Sequence, residues 1–476
     1  MSGSRVWRHV GTLAPAQALT LALNFAVWVH LSRALGPEGF GVVTFGVALL
    51  SYFVLAVTLG IDTVGVREVA RRAGRVRSLV PTVLGVRLAL AGGAGLAYAA
   101  VVLALPNPPA ERAALAVLGL LILARAVQVD WAFRGLERMG TVAVWQGAVA
   151  ALTAAAAFAA VRGPGDLVAA ALAVAAVPLV AGLGLLAVYR HRVGPVRPAA
   201  GWRAWRAVLR PALPLAAAAF VGEVYYNLDK VMLEGLRTTA EVGFYGVGYK
   251  VYGLAVAPAA VLLPAFFPSL AAASADRERR RAAADLYGRA LLAFGLPLAV
   301  AGPVLAGPLV LALYGSEYAA GIPAAQILLV NAGVVYLAMA HGNPLTAWDQ
   351  ERPYMRVVFV GGAVNVVLNV LLIGPLGTVG AAGATLATEA VVLVGMVALF
   401  RRETGGTHAG AALRTAPVAL TCGAAAWVAV EHAWPVVAWL PLLAAVWAGS
   451  LWAFGVVRVE SVREAFGRRR EDPAAP

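Results

Sequence analysis

Residues 140–189 read GTVAVWQGAVAALTAAAAFAAVRGPGDLVAAALAVAAVPLVAGLGLLAVY, a stretch in which Arg162 and Asp166 are the only charges. Those two flank Gly163-Pro164-Gly165, a turn sequence, so the stretch divides into apolar runs near 140–161 and 166–189. Each run is long enough to cross a bilayer, which takes about 20 mostly apolar residues. Neither leaves a polar face for water, so neither suits the surface of a soluble domain. The same ruler marks spans upstream near 11–32, 41–60, 81–105 and 113–132. Downstream it marks 211–235, 242–270, 287–314, 322–347, 354–374, 380–400, 414–431 and 436–457, fourteen in all. Arg5 and Arg8 precede the first run as in a secretory leader, but the run is too long for one and is expected to be retained.

Composition agrees. Of 476 residues 61% are hydrophobic and 13% charged, where a soluble domain is about 25% charged. That excludes disorder, and a lone cysteine, Cys422, excludes a disulfide scaffold. The net charge of +14 could suit a nucleic-acid partner, but the cations are not arranged for one. With the N-terminus assigned to the cytoplasm, 30 of the 38 Lys and Arg fall on the cytoplasmic side of the span map. Outside remain Arg33, Arg112, Arg162 and Arg237, and within spans Arg87, Arg125, Lys230 and Lys250. This is the positive-inside pattern of a cytoplasmic-membrane protein with both termini cytoplasmic. The expected partner of the basic surface is membrane lipid, with no nucleic acid. Residues 201–210, with Trp202, Trp205 and Leu209 on one edge and Arg203, Arg206 and Arg210 on the other, read as an amphipathic helix on an anionic leaflet. The tail from Arg458 to Arg470 reads the same way.

Features recur at an interval slightly over 200 residues. Glu38-Gly39-Phe40-Gly41 joins the first two spans, and Glu241-Val242-Gly243-Phe244-Tyr245 joins the seventh and eighth. Trp131…Glu137-Arg138 leaves the fourth span and Trp348…Glu351-Arg352 the tenth. Six helices separate each pair, so the copies run in the same direction, as in transporters built from parallel repeats. The expected fold is an all-α polytopic integral membrane protein of about 14 transmembrane helices. Residues 1–200 and 201–405 would form two parallel six-helix bundles, and 406–476 two additional helices and a basic tail.

No G-x-x-x-x-G-K-[ST] loop is present, and no His/Cys cluster has metal-ligand spacing, so no cofactor and no ATP hydrolysis by this chain is expected. The outer loops are too short to hold a catalytic domain, and no enzyme activity is expected. The informative residues are ionisable groups inside spans, each costing about 2.5–3.5 kcal/mol at mid-bilayer on insertion scales. In the seventh span Glu223, Asn227, Lys230 and Glu234 fall on one helical stripe, with Asp229 beside it. Lys250 lies at a similar depth in the eighth span. Asn24, His30 and Arg33 are candidates from the first span, and Arg87 and Arg125 from the third and fourth. These ten residues, without Glu234, are the candidate substrate-binding set. Their functional reading is a cavity whose cations attract an anionic headgroup such as a diphosphate. The structural reading lets Lys230 and Glu223 pair, Arg87 and Arg125 snorkel to the cytoplasmic interface, Asp62 pair with Arg67 or a backbone donor, and His30 and Asn24 serve packing.

Several stretches resemble the polysaccharide biosynthesis or oligosaccharide (O-antigen type) flippase family. That family is related to multidrug and toxic compound extrusion transporters and to lipid II flippases within one exporter superfamily. The resemblance rests on Leu35-Gly36-Pro37-Glu38-Gly39-Phe40-Gly41, Leu59-Gly60-Ile61-Asp62…Arg67-Glu68…Arg71-Arg72 and Trp131-Ala132-Phe133-Arg134-Gly135-Leu136-Glu137-Arg138-Met139. It continues through Tyr226-Asn227-Leu228-Asp229-Lys230 to Asn365, Asn369, Pro375, Gly377 and Gly380–Glu389, and so covers about three-quarters of the chain. It implies a flippase for a polyprenyl-diphosphate-linked oligosaccharide, with a V-shaped pair of bundles around a central, often cationic cavity. Asn227, Asp229 and Lys230 match the family's seventh-span motif; Lys250, after Gly246-Val247-Gly248-Tyr249, matches more loosely. The partner implied is the lipid-linked glycan, together with glycan synthesis enzymes. The alternatives are a cation-coupled multidrug exporter of the same superfamily, a membrane glycosyltransferase or polymerase, and a scaffold for a synthase complex.

Overall fold

The structure is a computed structural model and describes residues 3–274 and 276–456, with side chains from residue 17 onward except that of residue 440. The stretch Arg458 to Arg470 lies outside the described residues. Among the described residues the regular structure is entirely helical. Twelve stretches among those residues are long and apolar enough to cross a bilayer by length and composition. Two of them run through very long helices, α1 (Gly3–Thr58) and α13 (Glu351–Thr404). At 1.5 Å per residue a straight helix of that length would reach about 80 Å, against about 30 Å of hydrocarbon. Neither is straight. Gly36 (φ 69°, ψ 178°) breaks α1 and Gly377 (φ 56°, ψ −131°) breaks α13, in backbone regions that a side chain disfavours. Pro37, with its φ preset for a first helical turn, restarts α1. Halving both stretches brings twelve to the expected fourteen.

The chain divides into two compact units between Gly246 and Val247. The first contains α1, α2 (Ile61–Arg71), α3 (Val76–Ala104), α4 (Pro109–Leu118), α5 (Leu120–Val127) and α6 (Asp130–Gly135). It continues through α7 (Met139–Ala160), α8 (Leu167–Arg192), α9 (Trp202–Leu236) and the first turns of α10 (Thr239–Ala272). α1 packs along α7 and α9, and α8 against α4 and α5. Trp131 is buried in a cluster with Phe133, Tyr189 and Val80, near the ends of spans that carry basic loops. Tyr189 Oη donates to Val76 O at 3.0 Å, fixing α8 to α3.

Residues 202–210 are helical but not a separate helix; they are the opening turns of α9 and run on into the seventh span. The cause lies in the preceding linker. Ala199 N donates to Pro81 O (2.9 Å) and Trp205 Nε1 donates to Ala199 O (2.9 Å), so the linker is tied to α3 and aims α9 from its first turn.

The second unit contains the rest of α10, α11 (Arg277–Tyr314), α12 (Ile322–Ala347), α13, α14 (Ala409–Glu431) and α15 (Val436–Ala453). α11 packs against α12 and α14. Trp348 Nε1 donates to Leu270 O at 3.0 Å, and Arg280, ion-paired with Glu403, lies 5.5 Å from the Trp348 ring. Trp447 Nε1 donates to Ala293 O at 2.7 Å, fixing α15 to α11.

Within the first unit the two recurring hairpin sequences meet. A Cβ on Gly41 would stand 2.0 Å from Thr239 O, and a Cβ on Gly243 would stand 2.1 Å from Pro37 O. Gly41 and Gly243 are 202 residues apart, and so are Pro37 and Thr239. The two contacts are therefore reciprocal, and Gly246 resting on Thr44, again 202 apart, extends the set. Only residues without a Cβ allow this approach.

Candidate functional site

α9 holds its polar stripe in three clusters, all within the first unit. In the first, Asn227 Nδ2 donates to Glu223 Oε2 at 2.8 Å and lies 3.2 Å from Ser51 Oγ on α1. Tyr52 Oη approaches the Glu223 carbonyl at 3.5 Å. Glu223 is half-buried and makes no salt bridge among the described residues. One turn on, Lys230 is 6% exposed and its ammonium bonds the Tyr226 carbonyl and Asp229 Oδ1 (3.3 Å). Asp229 is saturated by three donors: Lys230 N at 2.8 Å, Lys230 Nζ, and Tyr245 Oη at 2.6 Å on Oδ2. The ammonium also lies 5.9 Å from the centre of the Tyr245 ring.

The third cluster joins Glu234 to the turn between α3 and α4. Asn107 Nδ2 donates to both Glu111 Oε2 (2.9 Å) and Glu234 Oε1 (3.1 Å), and Thr239 Oγ1 also donates to Glu234 Oε1 (3.1 Å). These side chains line a cavity of 550 Å³ together with Phe45, Leu49 and Val231. Glu223 and Glu234 are eleven residues apart, so the stripe runs about 16 Å along the helix axis.

The expected Glu223–Lys230 pair is thus replaced by Asp229–Lys230. A buried ion pair persists only when nearly every lone pair and proton finds a partner, and Tyr226 O and Tyr245 Oη complete this one. The charge left without a salt bridge in the first cluster is the Glu223 carboxylate. A carboxylate hydrogen-bonded by an amide can accept further hydrogen bonds or hold a small cation.

The other candidates are dispersed. Arg87 does not snorkel: it is 1% exposed and donates to Asp62 Oδ1 at 2.6 Å and to Gln128 O at 3.0 Å. Asp62 accordingly pairs with Arg87 and not Arg67. Arg125 is exposed and donates to Gln128 Oε1 at 2.8 Å. His30 Nε2 bonds Ala157 O in the last turn of α7 at 3.2 Å and Val161 O just beyond its end at 2.9 Å, with its ring 4.3 Å from that of Phe158. Asn24 and Arg33 are exposed on α1. Lys250 is half-buried on α10 and belongs to the second unit. Ser51, Tyr52, Tyr245, Asn107 and Glu111 were not among the expected residues. Only Tyr245 carried a signal, its place in the recurring hairpin sequence.

A family model described as polysaccharide biosynthesis protein matches residues 6–274, more than half of the chain and all three clusters. The chain belongs to this family. No curated protein matches it. Among solved structures, the family member resembles a lipid II flippase, MurJ, in an inward closed conformation, with 10% identity and a TM-score of 0.71 over 96% of this chain and 100% of that one. It also resembles an inward-facing multidrug resistance MATE family transporter of the MOP superfamily, with 15% identity and a TM-score of 0.65 over 81% and 94%. A third is a MOP superfamily transporter from Pyrococcus furiosus, with 16% identity and a TM-score of 0.54 over 82% and 92%. At these identities the likeness is one of fold, and this polysaccharide biosynthesis family member is a multi-pass membrane protein of the transporter and flippase fold.

Proposed function

We propose that this chain is a flippase carrying a polyprenyl-diphosphate-linked oligosaccharide across the cytoplasmic membrane by alternating access, without hydrolysing ATP itself. The observation that carries the reading is the α9 stripe, which holds a carboxylate, an amide and a buried ion pair in an otherwise apolar span. Such groups are expensive in a membrane and mark a pathway for a polar cargo or a coupling ion. Family membership supports glycan assembly as the setting. The bias of 30 cations to one side supports cytoplasmic termini. Residues 1–200 and 201–405 read as two parallel six-helix bundles, with 406–476 appended.

In this reading Glu223 and Asn227 serve coupling or sugar hydroxyls. Lys230 meets a diphosphate only when Asp229 yields it, and Lys250, Arg33, Asn24, His30, Arg87 and Arg125 are the remaining positions to probe. Depleting the protein in a cell without a redundant homologue should strand lipid-linked oligosaccharide in the inner leaflet. Unchanged surface glycan with no such accumulation overturns the proposal. Glu223→Gln, which keeps an oxygen for Asn227 to donate to, should reach the membrane at normal levels and yet fail to restore surface glycan.

The acidic balance of the stripe favours one second reading, a cation-coupled multidrug exporter of the same superfamily. It predicts that the deletion sensitises cells to cationic drugs and leaves surface glycan intact.

A further inference from the structure

A second cavity in the first unit, of 870 Å³, opens between α3, α4 and α5, apart from the α9 clusters. Its floor is Tyr98, 2% exposed, whose hydroxyl donates to Leu115 O at 2.7 Å and ties α3 to α4. The break between α4 and α5 at Gly119 opens it, and Leu96 and Leu103 stand exposed on its α3 wall. Gly92 and Gly95 also line it, and a Cβ at either would meet nothing within 4 Å. With no side chain at either, this part of the α3 wall stays open beside the cavity. The one charged group on the wall is Arg112, half-buried on the first turns of α4, which makes no salt bridge among the described residues.

From these features we infer that the trough is a binding site for one anionic phospholipid of the leaflet that faces the 105–108 turn. Its phosphate sits on Arg112 and its chain runs down the glycine face of α3. Charge complementarity selects the headgroup: a guanidinium at the polar end of a hydrocarbon trough matches a phosphate above an acyl chain. Length selects the tail. Ala91 to Leu103 spans about 18 Å of helix, close to the depth of one leaflet, about 15 Å of a 30 Å core. A polyprenyl chain longer than a leaflet would overrun it. The inference needs only that these helices cross a bilayer, so it stands apart from the flippase reading.

Native mass spectrometry of the delipidated full-length protein tests it, with phosphatidylglycerol and phosphatidylcholine as the titrants. The wild type should bind one phosphatidylglycerol about tenfold more tightly than phosphatidylcholine, a preference that Arg112→Gln abolishes and Arg112→Lys largely keeps. Gly95→Leu should weaken both lipids at least tenfold by filling the trough. Gly140→Leu, on α7 where a Cβ also meets nothing, should change neither. The open space around Gly95 predicts a folded, monodisperse variant, checked by size-exclusion chromatography. The proposal is overturned if Arg112→Gln keeps the headgroup preference, if Gly95→Leu keeps the bound lipid, or if polyprenyl phosphate displaces phosphatidylglycerol at equal concentration. None of these readouts depends on glycan export, so a failed flippase reading leaves them intact.

Discussion

Lys230, 6% exposed on an apolar span, is surrounded by Asp229, the Tyr226 carbonyl and the Tyr245 ring. Removing one partner of such a pair costs about 3–5 kcal/mol, whereas removing both is often neutral. Asp229→Asn should therefore lower the thermal midpoint in detergent sharply. Asp229→Asn combined with Lys230→Met should recover most of that loss, and additive losses would show that the two residues do not act as a pair. The sequence makes the stripe visible because Glu223, Asn227, Lys230 and Glu234 obey helical spacing. It does not reveal which group neutralises Lys230, because Asp229 is off the stripe and its third donor, Tyr245, lies on the next helix. The same limit explains Arg87. A long cation two turns from an interface can snorkel, and only the fold brings Asp62, 25 positions away, within 2.6 Å of its guanidinium.

Helix length was legible at the level of elements, because hydropathy is summed over whole spans and tolerates local error. Gly36 and Gly377 fall in the gaps expected between the first two spans and between the eleventh and twelfth. The course of residues 201–210 was not legible, since an amphipathic pattern does not say whether a helix stops at the interface or continues inward. The tie of the linker to Pro81 O decides that. The breaks themselves make a prediction. Gly377→Ala forces a side chain into a positive-φ conformation and should cost roughly 1–3 kcal/mol, read as a fall in thermal midpoint. Gly383→Ala, in the same helix where a Cβ meets nothing, should be neutral or slightly stabilising. Equal effects would mean that the break at Gly377 is not what places the two halves of α13.

Across the molecule, the reciprocal contacts of Gly41 and Gly243 set how closely two distant hairpins of the chain can approach. A Cβ 2.0 Å from a carbonyl oxygen requires the backbones to part by at least about 1 Å, since non-bonded atoms settle near 3.5 Å. Gly243→Val should therefore expose Val42, now 1% accessible, and labelling of Val42→Cys by a soluble maleimide in a Cys422→Ser background should rise several-fold. Unchanged labelling would show that the hairpins yield elsewhere. Gly41→Val and Gly243→Val should be strongly non-additive, because the first substitution already opens the gap the second needs. A contact in which position i meets j and the copy of j meets the copy of i is isologous, the kind made by a two-fold homodimer. A gene encoding a single copy of this hairpin would thus already specify its own dimer contact, with one glycine and one carbonyl per subunit.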